Sequence, residues 1–531
     1  MPVRFSVARR IAASLALAWT VETAALAEPS GGRADALSVD EIVRLASDFR
    51  ARNEHAILRE FIDLLAIPNY GRDQENIRRN AHHIVAMLEA RGASARILDV
   101  DGGSPAVYGE LDVPGATRTI TLYVHYDGQP ASVENWATPP YRAVLRDGPL
   151  ENDGQIIDPA EVTGAFDPDW RLYARATSDD KAPIIGLLYA LDALKEKGIS
   201  PSFNVRFFFE GEEEIGSPNL KRILQANRQL LKSDLWLFCD GPVDPSGRNR
   251  LIFGSRGVTE FTVTVYGSAR GLHSGHYGNY APNPIVMLSH LITSMRDENA
   301  RIHIDGFHDN VLPPTADELV TVRRWASSHA QVRQDLAIAR SEAPDQLLEE
   351  AVLSPALNLL GIQSGTVGLT ARNVINPTAT ATIGLRIVPN QSMDRLRGVV
   401  EDHIRAQGYH IVRQDPDGDL RTRHPRIAKV EWSKSAYGSV RTPLALPESQ
   451  ALIRLTEQAM GHPPVIIVGS GASLPLAPVR DVLGAPLVIL PIANHDNNQH
   501  APNENIRLGN LWRGIELYAA ILAKLGDEID D

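Results

Sequence analysis

Residues 204–219 read NVRFFFEGEEEIGSPN, an apolar strand-like run that passes straight into Glu210, Glu212, Glu213 and Glu214. Acidic clusters of this kind are ordinarily solvated loops whose charges repel one another. The alternative is that a cation sits at the end of the run. On either side, strand-like and helix-like segments alternate: SARILDV and TITLYVHYD, then APIIGLLYALDALKEKG, NVRFFFE, PNLKRILQANRQLL and LWLFCD. This alternation predicts an α/β fold with a mostly parallel sheet and helices on both of its faces. In such sheets ligands bind beyond the carboxyl ends of the strands. One strand ends at His125-Tyr126-Asp127, the next in the glutamate cluster and a third at Asp240, so one sheet edge collects imidazole and carboxylates.

Upstream, residues 38–70 and 75–92 carry apolar residues at helical spacing, the second run ending at Gly92. Near residue 257 the texture changes. GVTEFTVTVYG and later TATATIGLRIVPN alternate apolar and polar residues, as half-exposed antiparallel strands do. An inserted α+β domain is therefore expected over residues 258–440, dividing the sheet domain into segments 28–257 and 441–531. The last segment carries helix-like ESQALIRLTEQAMG, the short run PLVILPI and a closing helix.

A chain of 531 residues, 43% hydrophobic and 22% charged, can bury a sizeable core and suggests more than one domain. The net charge of −12 and the lack of basic runs argue against a nucleic-acid or anionic-membrane surface. Arg4, Arg9 and Arg10, the apolar stretch Ile11 to Val21 and Ala25-Leu26-Ala27 read as a secretory signal peptide, residues 1–27. Its apolar stretch is shorter than the roughly 20 residues of a membrane span, and Glu22 interrupts it. Cleavage removes three arginines and one glutamate, taking the net charge from −12 to −14. The Arg9-Arg10 pair leaves a twin-arginine export route open. Secreted or periplasmic location is the expectation. With Cys239 the single cysteine, no intramolecular disulfide can form. Its setting in LWLFCD reads as that of a small buried hydrophobe.

The candidate metal ligands are His125, Asp179, Glu213, Glu214, Asp240 and His500. Imidazole with carboxylates suits zinc, cobalt or manganese, and one carboxylate can bridge two such ions. Two divalent cations would also make adjacent glutamates favourable at a strand end. Singly, His125 reads better as a core histidine, Asp179 as a helix N-cap and Asp240 as a turn residue. Their common position at strand ends is what favours a site.

The series HYD, ARATSDDKA, EGEEEIGS, CDGP, LHSGHYG, LRIVPN and QHAPNE resembles the co-catalytic metallopeptidase family of carnosinase-type dipeptidases, aminoacylases, acetylornithine deacetylase and succinyl-diaminopimelate desuccinylase. The likeness runs in the family's order over nearly the whole chain after residue 27 and is strongest to the carnosinase and nonspecific dipeptidase branch. It implies two metal ions, zinc first among them. His125 and Asp240 would hold one, Glu214 and His500 the other, and Asp179 would bridge them. Asp127 would orient the His125 imidazole. Glu213 would be the general base, and Asp180 and Glu212 neighbours that are not ligands. A metal-bound hydroxide would then attack an amide carbonyl, with the proton passing through Glu213 to the leaving nitrogen. By the same resemblance His273, on an inserted lid and dimerisation domain, would stabilise the oxyanion of a partner subunit's reaction, which requires a homodimer. Arg386 would bind the substrate carboxylate, with Asn373, Gly471 and Ser473 completing that pocket.

The substrate class so implied is a dipeptide, a peptide C-terminus or an N-acyl amino acid. A non-catalytic peptide-binding or metal-binding protein on the same fold is the competing reading. It predicts a missing ligand or base, and none is missing. No G-x-S-x-G elbow supports a serine hydrolase, and no Gly-rich loop supports dinucleotide or ATP binding. The chain departs from the family at Ala174-Arg175-Ala176, where Gly-Arg-Gly is usual, and at Ala182. It also has Gly469-Ser470 where the carnosinase-like branch places Arg-Glu, which removes charge from the expected substrate pocket.

Overall fold

The computed structural model describes residues 37–434, 436–471 and 474–530. The proposed signal peptide and Ser473 lie outside them. The large sheet has eight strands, in spatial order Ser94–Leu98, Ala106–Leu111, Asn204–Glu210, Thr119–His125, Leu235–Phe238, Leu487–Ile489, Arg250–Ile252 and Val465–Ile467. The central four run parallel. The two strands on the Ser94 side are antiparallel, and so is the Leu487–Ile489 pairing with Arg250–Ile252. The fold class read from the alternation is the observed one.

The phenylalanine run shows why both faces need helices. Successive side chains on a strand point to opposite faces. Phe207 and Phe209 therefore enter the core beneath the helices Val39–Leu65, Ala182–Glu196 and Leu508–Asp530, while Phe208 enters a second core with Leu220–Ala226 and Leu476–Leu483. All three rings are fully buried. Each buried ring contributes about 1.5–3 kcal/mol relative to exposure. The helix Val39–Leu65 begins with a capping box, Ser38 and Glu41 each accepting from the other's backbone N–H. The segment after Leu220 forms only the short helix Leu220–Ala226, less than its spacing predicts.

A third core lies on a five-stranded sheet, in the order Ala356–Gln363, Thr378–Ile387, Gly257–Tyr266, Ile427–Trp432, His410–Val412. The helices Pro284–Met295 and Met393–Ala406 cover one face of it through Leu288, Leu291, Leu396 and Val400. The alternation read in GVTEFTVTVY is real: buried and less buried residues alternate along Gly257–Tyr266. Between Leu312 and Ser354 an arm of short helices lies on the outer edge of the large sheet. There Val322 and Leu353 pack on Val468 and Leu444.

A four-stranded sheet, Asn505–Arg507 with Arg171–Tyr173, Val144–Arg146 and Ile156–Ile157, joins the segment after His500 to the one before Asp179. No helix among the described residues is long and apolar enough to cross a membrane.

Candidate metal centre

His125 ends its strand beside the parallel strand that ends at Glu210, and Tyr126 N–H donates to the Glu210 carbonyl (2.8 Å). The rule that strand ends gather such residues thus has a topological cause: hydrogen-bonded parallel strands deliver their last residues to one edge. The His125 Nε2 lies 2.8 Å from Asp179 Oδ1 and 3.8 Å from Asp240 Oδ2. The His500 Nε2 lies 3.0 Å from Asp179 Oδ2 and 3.1 Å from Glu214 Oε2. One carboxylate therefore faces two imidazoles, one oxygen to each, with a further carboxylate beside each imidazole. Ligand atoms bonded at about 2.0–2.2 Å around one ion stand at separations of this order. Asp180 also reaches the first group, its carboxylate lying within 4.8 Å of the His125 and Asp240 ligand atoms. Its Oδ2 accepts the His125 backbone N–H (3.3 Å).

The electrostatics favour a cation. Asp127, Asp179, Asp180, Glu213, Glu214 and Asp240 crowd around the imidazoles of His125 and His500. Burial alone would lower the pKa of His125, but Asp127 and Asp179 hold it well above the ordinary value. Contacts with Asp179 and Glu214 push His500 up to about 10. Burial raises Asp179, yet the two imidazoles overcome it and leave its carboxyl well below the usual range. Asp240 is pushed up to about 7, chiefly by burial. Glu213 is raised well above a normal glutamate by burial first, and then by Asp240, Glu214 and Asp127. The donors are of the right kind, buried and in excess of protons, which is the condition that divalent ions relieve. His500 remains 54% exposed at its side chain and marks the open side of the cluster.

The four glutamates of the opening stretch have different duties. Glu214 faces His500, and Glu213 faces the carboxylate cluster. Glu212 accepts from the backbone N–H groups of Asn219 (2.5 Å) and Ser104 (3.1 Å), tying the loop down. Glu210 accepts from the Tyr123 hydroxyl (2.7 Å), and burial pushes its pKa up to about 8. Asp127 links two parts of the site: its Oδ1 lies 3.4 Å from His125 Nδ1, and its two oxygens accept the N–H groups of Glu213 (3.0 Å) and Glu214 (3.1 Å).

Residues 121–524 match peptidase family M20/M25/M40, a span that takes in every residue placed at this site. This chain belongs to that family. It is a metallopeptidase by that membership, as the strand-end motifs indicate. Among curated proteins it is 26% identical over 434 residues to the Cys-Gly metallodipeptidase dug1 of Schizosaccharomyces pombe, covering 79% of this chain and 83% of that one. To the human Beta-Ala-His dipeptidase it is 23% identical over 439 residues, 79% and 77% of the two chains. The M20 metallo-carboxypeptidase Sso-CP2 of Sulfolobus solfataricus has the same fold, with a TM-score of 0.69 at 24% identity over 89% of this chain and 99% of that one.

Within this M20 chain one positioning residue escaped the sequence reading although it lies in a quoted motif. Glu504, at the end of QHAPNE, is fully buried. Its Oε1 accepts from Ser178 N–H, Ser178 Oγ and Asp179 N–H, each at 3.0 Å, and its Oε2 from Arg175 Nη1 (2.8 Å) and Ala176 N–H (3.1 Å). Gln499 Nε2 donates to Asp179 Oδ2 (2.8 Å) and Gln129 Nε2 to Glu214 Oε2 (2.8 Å). Nothing in spacing marks such residues, since a buried carboxylate bound to backbone has no ligand partner in sequence. At Ala176 the backbone adopts a conformation open to glycine as well. Ala176 takes the left-handed conformation, φ +61°, that a glycine would hold freely.

His273 and Asn373 come together away from this cluster, on the two-residue ribbon Leu272–His273 with Val374–Ile375. His273 is exposed, its Nδ1 accepting Gly275 N–H (3.2 Å), and the Asn373 carbonyl accepts Ser274 N–H (2.9 Å). Arg386 is half-buried on the inserted sheet, opposite Val258. Its charge is a secondary cause, after burial, of the lowered Arg256 pKa of about 10. Gly471 is exposed.

Proposed function

We propose that this protein is an exported, dinuclear metal-dependent peptidase that cleaves an amide bond next to a free carboxylate. The observation that carries the reading is Asp179, whose two oxygens face His125 and His500 separately. His125 with Asp240 would hold one ion, His500 with Glu214 the other, and Asp179 would bridge them. The ions, when bound, would supply Lewis-acid chemistry, making water more acidic and polarising the scissile carbonyl. Glu213 takes the proton of the attacking water and returns it to the leaving nitrogen, a role its raised pKa suits. Asp127 holds the Glu213 and Glu214 backbone while facing His125, which keeps base and ligand in register. Zinc fits the mixed imidazole and carboxylate set, with cobalt or manganese as substitutes. Dipeptides are the first substrates to try, because the named relatives are dipeptidases. Arg386 would take the substrate carboxylate as a planar fork, with Asn373, Gly471 and Ser473 as the further candidates for that pocket.

The reading includes a homodimer in which His273 reaches the partner's reaction. In support, His273 is exposed. The edge strand Ala356–Gln363 also presents Leu360 and Ile362 at 59% and 56% exposure, the kind of open apolar edge that proteins normally cover. Sedimentation of the wild type and of Leu360→Lys tests this: a wild-type monomer at micromolar concentration refutes it. Export is supported by the Arg-rich, apolar and small-residue order of residues 1–27, and N-terminal sequencing of protein expressed with its leader decides it.

The main test is amine release from dipeptides and N-acyl amino acids by protein stripped of metal and reloaded with zinc, cobalt or manganese. Release that returns with metal supports the assignment and names the substrate class. Two bound ions per chain with no release from any amide would leave a binding protein as the function.

A further inference from the structure

The chain crosses between the two sheets twice, outward at residues 254–257 and back at residues 433–441, and the crossings touch. Tyr437 stands on the return crossing. Its N–H and C=O exchange hydrogen bonds with Val258, each 3.0 Å. Gly257 admits no side chain there, since a Cβ would lie 2.4 Å from the Tyr437 carbonyl oxygen. The backbone of Tyr437 is thereby fixed to the first residues of the inserted sheet.

Its side chain reaches the other way. The hydroxyl lies 2.9 Å from the place a Cβ on Gly216 would occupy, so it rests on the bare backbone of that glycine. Gly216 has φ +90° and closes the turn that carries the two working glutamates, its N–H donating to the Glu213 carbonyl (2.7 Å). Ser217 N–H donates to the Glu212 carbonyl (2.9 Å) in the same turn. Burial first, then the facing carboxylates of Glu213, Glu210 and Glu212, push the phenol's pKa up and keep it protonated. A neutral, half-buried donor from the inter-domain connection therefore abuts the turn of the proposed base and one proposed ligand.

We propose that Tyr437 is a positioning residue that ties the setting of the inserted sheet to the Glu213 turn. Val258 and Tyr437 move as one unit when the inserted sheet turns about the crossings, and the phenol then shifts against Gly216. A general base works only within hydrogen-bond reach of the proton it takes, and a misplacement of about 1 Å costs on the order of a hundredfold in rate. The inference rests on Glu213 being the base. Substrate held by the inserted sheet would in this way set the base for its own cleavage.

The test compares wild type with Tyr437→Phe, which removes one hydroxyl and keeps the ring, both loaded with zinc. Amide hydrogen exchange at Gly216 and Ser217 is measured together with kcat and KM. The expected result is exchange about tenfold faster at those two amides and kcat about tenfold lower, with KM and zinc content unchanged. Exchange within twofold of wild type overturns the proposal, and so does a kcat within twofold despite faster exchange. Hydrogen exchange reads the turn whether or not a given peptide is hydrolysed. A wrong substrate class and a wrong role for Tyr437 therefore give different results.

Discussion

Replacing Glu504 by glutamine changes one atom type and should disable the Asp179 loop. Five donors converge on that carboxylate: Ser178 N–H, Ser178 Oγ and Asp179 N–H on one oxygen, Arg175 and Ala176 N–H on the other. Glutamine keeps one acceptor oxygen and turns an amide NH2 toward the remaining donors. Whichever way it sits, at least two donors lose their partner, and in one orientation Arg175 is among them, 2% exposed and with its Nε already unpartnered. Burial raises the Glu504 pKa against the pull of Arg175, so the ion pair itself is not where the stability comes from. The cost arises from stranding the partners, about 3–5 kcal/mol for a broken buried pair. Asp179 loses its backbone anchor in the same step, and loss of such supporting contacts typically weakens metal binding about 10–100-fold. Urea unfolding of the metal-free protein reads the first quantity. Zinc competition with a chromophoric chelator, in the absence of urea, reads the second. A Glu504→Gln protein within about 0.5 kcal/mol of wild type, and with unaltered zinc affinity, would refute the role given to Glu504; the stability limit is the ordinary range for inconsequential substitutions.

Three further outcomes are expected. Glu213→Gln should keep both metal ions by elemental analysis, since Glu213 belongs to neither ligand group, while kcat falls by about 10²–10⁴; an unchanged rate removes it from the reaction. Ala176→Gly should stabilise the fold by up to about 1 kcal/mol in urea unfolding, because left-handed alanine costs roughly 1–2 kcal/mol and the extra freedom of unfolded glycine returns part of that; a clear loss of stability would show that the methyl packs usefully. Burial would raise Glu401, but Arg413 and the Trp432 indole N–H outweigh it and hold its carboxyl below the usual glutamate range. A carboxylate depressed in the folded state contributes stability above the unfolded pKa and loses it as pH falls through the folded one. Acid titration of unfolding should therefore show a loss below about pH 4.5 that is reduced in Glu401→Gln, a variant about 1.5–3 kcal/mol less stable at pH 7.

The strand ends were legible because two independent signals coincide there. Phe207, Phe208 and Phe209 announce a strand, and the charges that follow cannot continue it. A parallel sheet then leaves one edge for His125, Glu213, Glu214 and Asp240 to share. Tertiary neighbours without a periodic signature were not legible. Ala106–Leu111 is a six-residue strand inside the sheet, and nothing in its composition separates it from a loop apart from its burial. Glu504 and Tyr437 act through backbone groups of the Asp179 and Gly216 turns, 325 and 221 positions away in the chain, so no local spacing could reveal them.

The arm over residues 312–354 shows the same limit. Its helices, Ala316–Trp325, His329–Asp335 and Leu348–Ala351, are too short for helical periodicity to stand out from a loop. Yet the arm explains the departure at Gly469. A Cβ on Gly469 would lie 2.7 Å from the Leu353 side chain, so the arm occupies the space that a larger residue would need. Arg256 holds the arm's end by donating to the carbonyls of Ala351 (2.7 Å) and Ser354 (2.6 Å). The glycine at residue 469 and the arm that ends at Ser354 are thus one packing solution. The arm's own contribution there is Val352 and Leu353. On this side the arm therefore presents aliphatic side chains, and the cationic groups beside them, Arg256 and Arg441, come from the two crossings between the sheets.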